Sequence, residues 1–321
     1  MQNLIAMKRI YLYLLILVIA AIASIYVFIP TEINVTKIAA VNATFPAGTR
    51  FFMNTEKWKE WWPVSDTEVS AISKEVGFFH HQAHHTITKE LFNGHAINTT
   101  FKGNTFKGEI IYAQLGIDSV AFFWKYAYNC SYNPITRIQE YYMLKELKEN
   151  TSEILGSLKS FLEKEENVYG MKIQHSFVVD TILISTKTTF ETTPNIDQVY
   201  TMVNQLKDYT KVQGAKETGF PMVNITVLDK THFQTMVAIP VDKKLNETAQ
   251  FSWKKMVAGK ILIGEVKGGD TRTKNAFAEM HNYVIDHQIT SPAIPFISLV
   301  TDRKQEPDSS KWISRIYYPV M

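Results

Sequence analysis

The stretch "HHQAHH" (His80, His81, His84, His85) holds the densest cluster of metal-capable side chains in the sequence. On a helix, His81 and His85 would share a face and could grip an ion. The flanking "FF" and "TIT" favour a strand, where adjacent histidines point to opposite faces. No carboxylate or third ligand stands at a set distance in the sequence. The segment therefore reads as a polar strand and turn, with no metal site expected. A second group lies near the C-terminus. Glu265 in "ILIGEV" alternates onto the same side as Ile261 and Ile263. A carboxylate beside apolar residues is a ligand anchor, an acid of raised pKa, or the solvated end of a strand. Arg315 and Tyr317 in "RIYYPV" share a strand face. With Trp312 and Tyr283 they supply amphipathic aromatics suited to a ligand cleft, or to ordinary sheet-to-helix packing. Trp58, Trp61 and Trp62 share a helix face at i, i+3 and i+4. Either they cap a cavity or they fold a short helix onto a sheet. Trp124 in "AFFWKY" has the same two readings.

The elements that position these residues follow from pattern. Among 321 residues, 45% are hydrophobic and 20% charged, the balance of globular protein, with length enough for two domains. A net charge of +3 without a Lys/Arg-rich stripe gives no reason to expect nucleic acid. The single cysteine, Cys130, cannot form an intramolecular disulfide and reads as a small buried apolar group. Ile10 to Ile29 is an uncharged, mostly apolar run after Lys8 and Arg9. About 20 such residues span a hydrocarbon core. The basic pair places the N-terminus in the cytoplasm and the body outside it. The rival reading is a cleaved signal peptide, since Ala21-x-Ala23 is small enough. The apolar run continues past that point, which favours a single-pass anchor. The Asn-x-Ser/Thr triplets read as chance in a chain rich in Asn and Thr.

From about Ile33 the order is strand, short helix, several antiparallel strands and one long helix, "RIQEYYMLKELKENTSEILGSLKSFLEKEE". Its apolar residues Ile138, Tyr142, Leu147, Ile154, Leu155, Leu158, Phe161 and Leu162 recur near helical spacing, and Pro134 stands just ahead. A curved antiparallel sheet around that helix buries both apolar faces. "NVYGM" marks a junction, giving 1–30 as stub and span, 31–170 as a first domain and 171–321 as a second. The second half writes one phrase twice. "ILI" at Ile182–Ile184 returns at Ile261–Ile263, and Pro240 returns as Pro319, both 79 residues on. Pro221 and Pro295 are 74 apart, so length differences fall in loops. Each copy reads strand, amphipathic helix, strand, strand ending in Pro-Val, a duplicated β-α-β-β unit. The expected fold class is α+β, with helices on one face of a pseudo-symmetric sheet and a cleft between repeats.

Both halves resemble known families. "FMNTEKWKEWWP", and "NPITRI" leading into "LGSLKSFLEK", make residues from about Ile33 to Val168 resemble the START-like (SRPBCC, polyketide cyclase-like) superfamily. The resemblance implies a helix-grip fold around a deep apolar cavity that binds hydrophobic molecules, with cyclase activity in some members. The duplicated unit, "AGKILIGEVKGG" and the terminal "IYYPV" make residues from about Ser176 to Val320 similar to the GyrI-like effector-binding domain of bacterial multidrug-sensing regulators and stand-alone ligand binders. That resemblance implies small-molecule binding in the cleft between repeats. Many members carry a glutamate where this chain has Arg315, and a fixed guanidinium disfavours a buried cation. In regulators the domain follows a DNA-binding helix-turn-helix, whereas here it follows a START-like half and a membrane span. The expected function is a membrane-anchored binder of a neutral or anionic hydrophobic small molecule, without cofactor or nucleic acid. The expected ligand-binding residues are Glu265, Tyr283, Trp312, Arg315 and Tyr317, with Trp62 and Trp124 in the first half. The alternative is a hydrolase or cyclase using Glu265 or Tyr317 as acid-base groups.

Overall fold

A long run of Leu, Ile, Val and Ala with no charge inside it has nothing to interrupt a helix. In the computed structural model, which describes residues 2–63, 77–178, 181–256 and 258–321, it forms α1 (Gln2–Phe28). Within it Ile10–Phe28 is long and apolar enough to cross a membrane. Pro30, which has no N–H and restricts the residue before it, follows the last turn. The chain forms two compact units, Met1–Glu163 and Lys164–Met321.

In the first unit β1 (Glu32–Val41) leads to α2 (Phe45–Met53) and the single turn α3 (Trp58–Trp61). Five strands follow: β2 (Gly77–His80), β3 (Ala83–Leu91), β4 (Gly94–Phe101), β5 (Asn104–Gly116) and β6 (Ser119–Asn129). They form an antiparallel meander, and β1 closes the sheet on β6, in the order β1-β6-β5-β4-β3-β2. The register slips between Ile87 and Lys89 and between Gln114 and Gly116. Such bulges add bend and twist, and the sheet curls into a half-barrel. The long helix α4 (Pro134–Leu162) is capped by Asn133, whose Oδ1 accepts from the N–H groups of Ile135 and Thr136. Proline at the first turn and a capping Asn are what a helix start requires. Met143, Leu144, Leu147, Ile154, Leu155, Leu158 and Leu162 are buried along it. Tyr142, expected on that face, points outward, and Met143 and Leu144 take the inward place. The helix ends at Leu162, short of the expected Glu165–Glu166.

The second unit opens with α5 (Glu165–Tyr169), closed by Gly170 in the left-handed conformation at φ 67°. Then come β7 (Ile173–Val178), β8 (Thr181–Phe190), α6 (Ile196–Val212), β9 (Met222–Val227), β10 (Phe233–Val241), β11 (Ser252–Met256), β12 (Gly259–Lys267), α7 (Asp270–Asp286), β13 (Phe296–Leu299) and β14 (Ile313–Val320). The eight strands run in the order β11-β8-β10-β9-β13-β14-β12-β7. Element order thus reads β-α-β-β twice, with β9 and β13 side by side at the centre. The edge strands β7 and β11 are additions, too short and polar for the sequence pattern to reveal.

One face of this sheet is covered by helix. Val199, Tyr200, Met202, Val203 and Leu206 of α6 pack on Ile184, Val237, Ile239 and Val241. On the α7 side, Ala276, Met280 and Val284 are buried, and His281 Nδ1 meets the hydroxyl of Tyr318 at 2.7 Å. The pairing corrects the 79-residue alignment of the two "ILI" phrases. Pro240 pairs with Leu183, whereas Pro319 pairs with Ile261, an equivalence one residue shorter. A one-residue slip turns every side chain to the other face. Ile184 therefore lies in the core under α6, while Ile263 lies on the helix-free face beside Tyr317.

Candidate ligand cavity

Because side chains alternate along a strand, the residues between the core positions of β8, β9, β10, β13 and β14 all reach the helix-free face. A cavity of about 400 Å³ lies there. Leu183, Met222, Met236, Ala238, Phe296 and Pro319 line it. Val178 of β7, Met256 of β11 and the segment 292–294 add apolar wall. Met222, Met236 and Met256 give it unbranched, polarisable side chains that adapt to ligand shape. Its polar side chains are few: Asn224 and three cations, Lys254, Lys255 and Lys260. Asn224 is held in place by donating to the Pro295 carbonyl at 2.8 Å. Among the described lining residues there is no carboxylate, histidine, hydroxyl or thiol side chain.

The five residues expected in this half divide between the two faces. Arg315 and Glu265 sit at directly paired positions of β14 and β12, and Arg315 Nε donates to Glu265 Oε2 at 2.8 Å. That hydrogen bond raises the arginine pKa further above its ordinary value. Tyr317 stacks on Phe296, with ring centroids 5.0 Å apart and planes 10° from parallel. It buttresses a lining residue without lining the cavity itself. Tyr283 and Trp312 are elsewhere. Tyr283 is buried against Tyr169 and His287. Trp312 donates its indole N–H to the Glu306 carbonyl at 2.8 Å and lies under the Arg303 guanidinium. Sequence reasoning missed Met222, Met236, Ala238, Phe296, Lys254 and Lys260. The internal repeat held a signal for two of them. Met236 and Ala238 stand 79 residues before Arg315 and Tyr317, at the matching positions of the strand that ends in the first Pro-Val.

In the first unit the tryptophans form one aromatic cluster. Trp62 stacks on Trp58 at 5.7 Å and 10°, and its indole N–H donates to the Phe79 carbonyl. Trp124 is buried 6.3 Å from Trp62 and 5.2 Å from the ring of His85. The structure brings Trp62 and Trp124 together inside this packed group.

The histidine segment is a hairpin: β2 ends at His80, and β3 carries His84 and His85. His85 is fully buried, which pushes its pKa down to about 3. Its Nε2 lies 3.2 Å from Asn150 Oδ1, an acceptor, so the proton sits on Nε2. Nδ1 then accepts from the Thr99 hydroxyl at 2.8 Å, and Thr99 Oγ1 accepts from the Tyr126 hydroxyl at 2.7 Å. Asn150 Nδ2 in turn donates to the His80 carbonyl at 2.7 Å. Burial lowers the pKa of His80 as well. His80, His81 and Glu153 place three ligand atoms within 4.8 Å of one another. The sequence lacked a third ligand because Glu153 belongs to α4, far along the chain.

No family model and no curated protein matches the chain. Among solved structures it is similar to the C-terminal domain of EcmrR, at 14% identity and a TM-score of 0.41 over 47% of this chain and 98% of that one. It is also similar to a hydrolase from Listeria innocua, at 10% identity and a TM-score of 0.37 over 47% of this chain and 92% of that one. A third is SAV2435 bound to tetraphenylphosphonium, at 18% identity and a TM-score of 0.32 over 47% of this chain and 94% of that one.

Proposed function

We propose that Lys164–Met321 is a GyrI-like small-molecule-binding domain built from two copies of a β-α-β-β unit. In this reading Met1–Glu163 is a START-like domain, held at a membrane by α1. The observation that carries the binding function is the apolar cavity on the helix-free face. Its size falls in the range of small-molecule sites, and its few polar groups suit orientation of a mostly apolar ligand. Lys254 and Lys260, with no carboxylate among the described lining residues, favour a ligand that is neutral or carries an anionic group. Arg315 is paired with Glu265, so it adds no uncompensated charge beside the cavity. The apolar stretch Ile10–Phe28 supports the anchor.

The test is fluorescence titration of the full chain in mild detergent with an apolar anionic probe, anilinonaphthalene sulfonate. One saturable site is expected. Ala238→Phe should fill the cavity and abolish binding, and Lys254→Glu should weaken it. Binding that neither substitution changes would remove the assignment.

A further inference from the structure

We propose that His80, His81 and Glu153 form a binding site for a divalent first-row transition ion such as Zn²⁺. Two imidazoles and one carboxylate suit zinc, with a fourth place left for water or another donor.

Geometry carries this. His80 Nε2 lies 3.1 Å from Glu153 Oε2, and His81 Nε2 lies 2.9 Å from the same oxygen. Ligand atoms about 2.0–2.1 Å from a tetrahedral zinc stand about 3.3 Å apart. Both histidine-to-carboxylate distances are within a few tenths of an ångström of that spacing, and all three ligand atoms lie within 4.8 Å of one another.

The backbone is arranged for this convergence. His80 is the last residue of β2, and His81 is the first of the two-residue turn that leads to β3. His81 adopts the left-handed conformation, with φ 41°, as the two-residue hairpin turn requires. The two rings then lie 4.2 Å apart and reach one carboxylate.

The surroundings also fit. Asn150, one turn before Glu153 on α4, fixes the His80 backbone by donating to its carbonyl at 2.7 Å. His81 and Glu153 also line an open hollow of about 270 Å³, so a fourth ligand can reach the ion.

The experiment is calorimetric titration of the untagged full chain with Zn²⁺ in a non-chelating buffer, followed by Co²⁺ titration read by visible absorption. One ion per chain is expected, with Co²⁺ bands typical of nitrogen and oxygen ligands. His81→Ala and Glu153→Gln should each weaken binding at least tenfold. Both residues are exposed, and an unchanged circular dichroism spectrum will show that these variants fold. His84→Ala should leave affinity unchanged, because that ring stacks on Phe79 outside the cluster. Absence of saturable binding, binding insensitive to His81→Ala, or an equal loss in His84→Ala would each overturn the site.

Discussion

Arg315 and Glu265 face each other across paired strands at 2.8 Å, at the position where the resemblance to GyrI-like domains leads one to expect a lone glutamate. The charge is present, carried by the neighbouring strand and neutralised. The side chains are 39% and 52% exposed, so water screens the pair. Arg315→Ala should change unfolding free energy by less than about 1 kcal/mol in urea denaturation. Arg315→Glu should do more, placing two carboxylates at directly opposed positions. A further destabilisation on the order of 0.2–1 kcal/mol beyond Arg315→Ala is expected, with a gain in affinity for apolar cations over apolar anions.

Buried His85 ties stability to acid. Its pKa is pushed from the ordinary 6.5 to about 3, so the folded state keeps it neutral where the unfolded chain takes up a proton. The stability it contributes is complete above about pH 6.5 and falls as pH drops from there toward 3. The slope approaches about 1.4 kcal/mol per pH unit. Burial of His80 and His95 shifts both in the same direction. Urea melts at pH 7, 6 and 5 should show this loss, and His85→Gln should flatten it while lowering stability at pH 7.

The aromatic cluster of the first unit is packed core. Trp124 is buried among Trp62, Tyr126 and His85. Trp124→Ala should cost about 3–5 kcal/mol through lost burial and the cavity left behind. A chemical melt followed by circular dichroism checks this. A change of less than 1 kcal/mol would mean that the ring faces a space already open to ligand.

Arg137 ties the end of α1 to α4. Its Nε and Nη2 donate to the Ile29 carbonyl at 2.9 and 2.6 Å, and its guanidinium lies 5.0 Å from the Tyr26 ring. The side chain is buried, so this charge-assisted pair is desolvated. Arg137→Ala should destabilise the unit by about 1.5–3 kcal/mol and expose residues 28–32 to protease. An unchanged digestion pattern would show that the contact does not secure that segment.

Local pattern alone determined much of this protein. An uncharged apolar run specifies α1, Asn133 and Pro134 specify the start of α4, and alternating strands around two amphipathic helices specify the β-α-β-β order. Each of these is written within a few residues, where steric and capping preferences act. Strand pairing is decided elsewhere, by which distant segments meet. That is why identical "ILI" phrases face opposite sides of one sheet, and why short, polar β7 and β11 could not be read in advance. The same holds for the sites. Glu265 and Arg315 were visible as residue types, but only the register of β12 and β14 made them a neutral pair. Met236 and Phe296 are ordinary strand residues until pairing through β9 carries β10 and β13 onto one cavity. Glu153 is one more surface carboxylate of a long helix until folding sets it against His80 and His81.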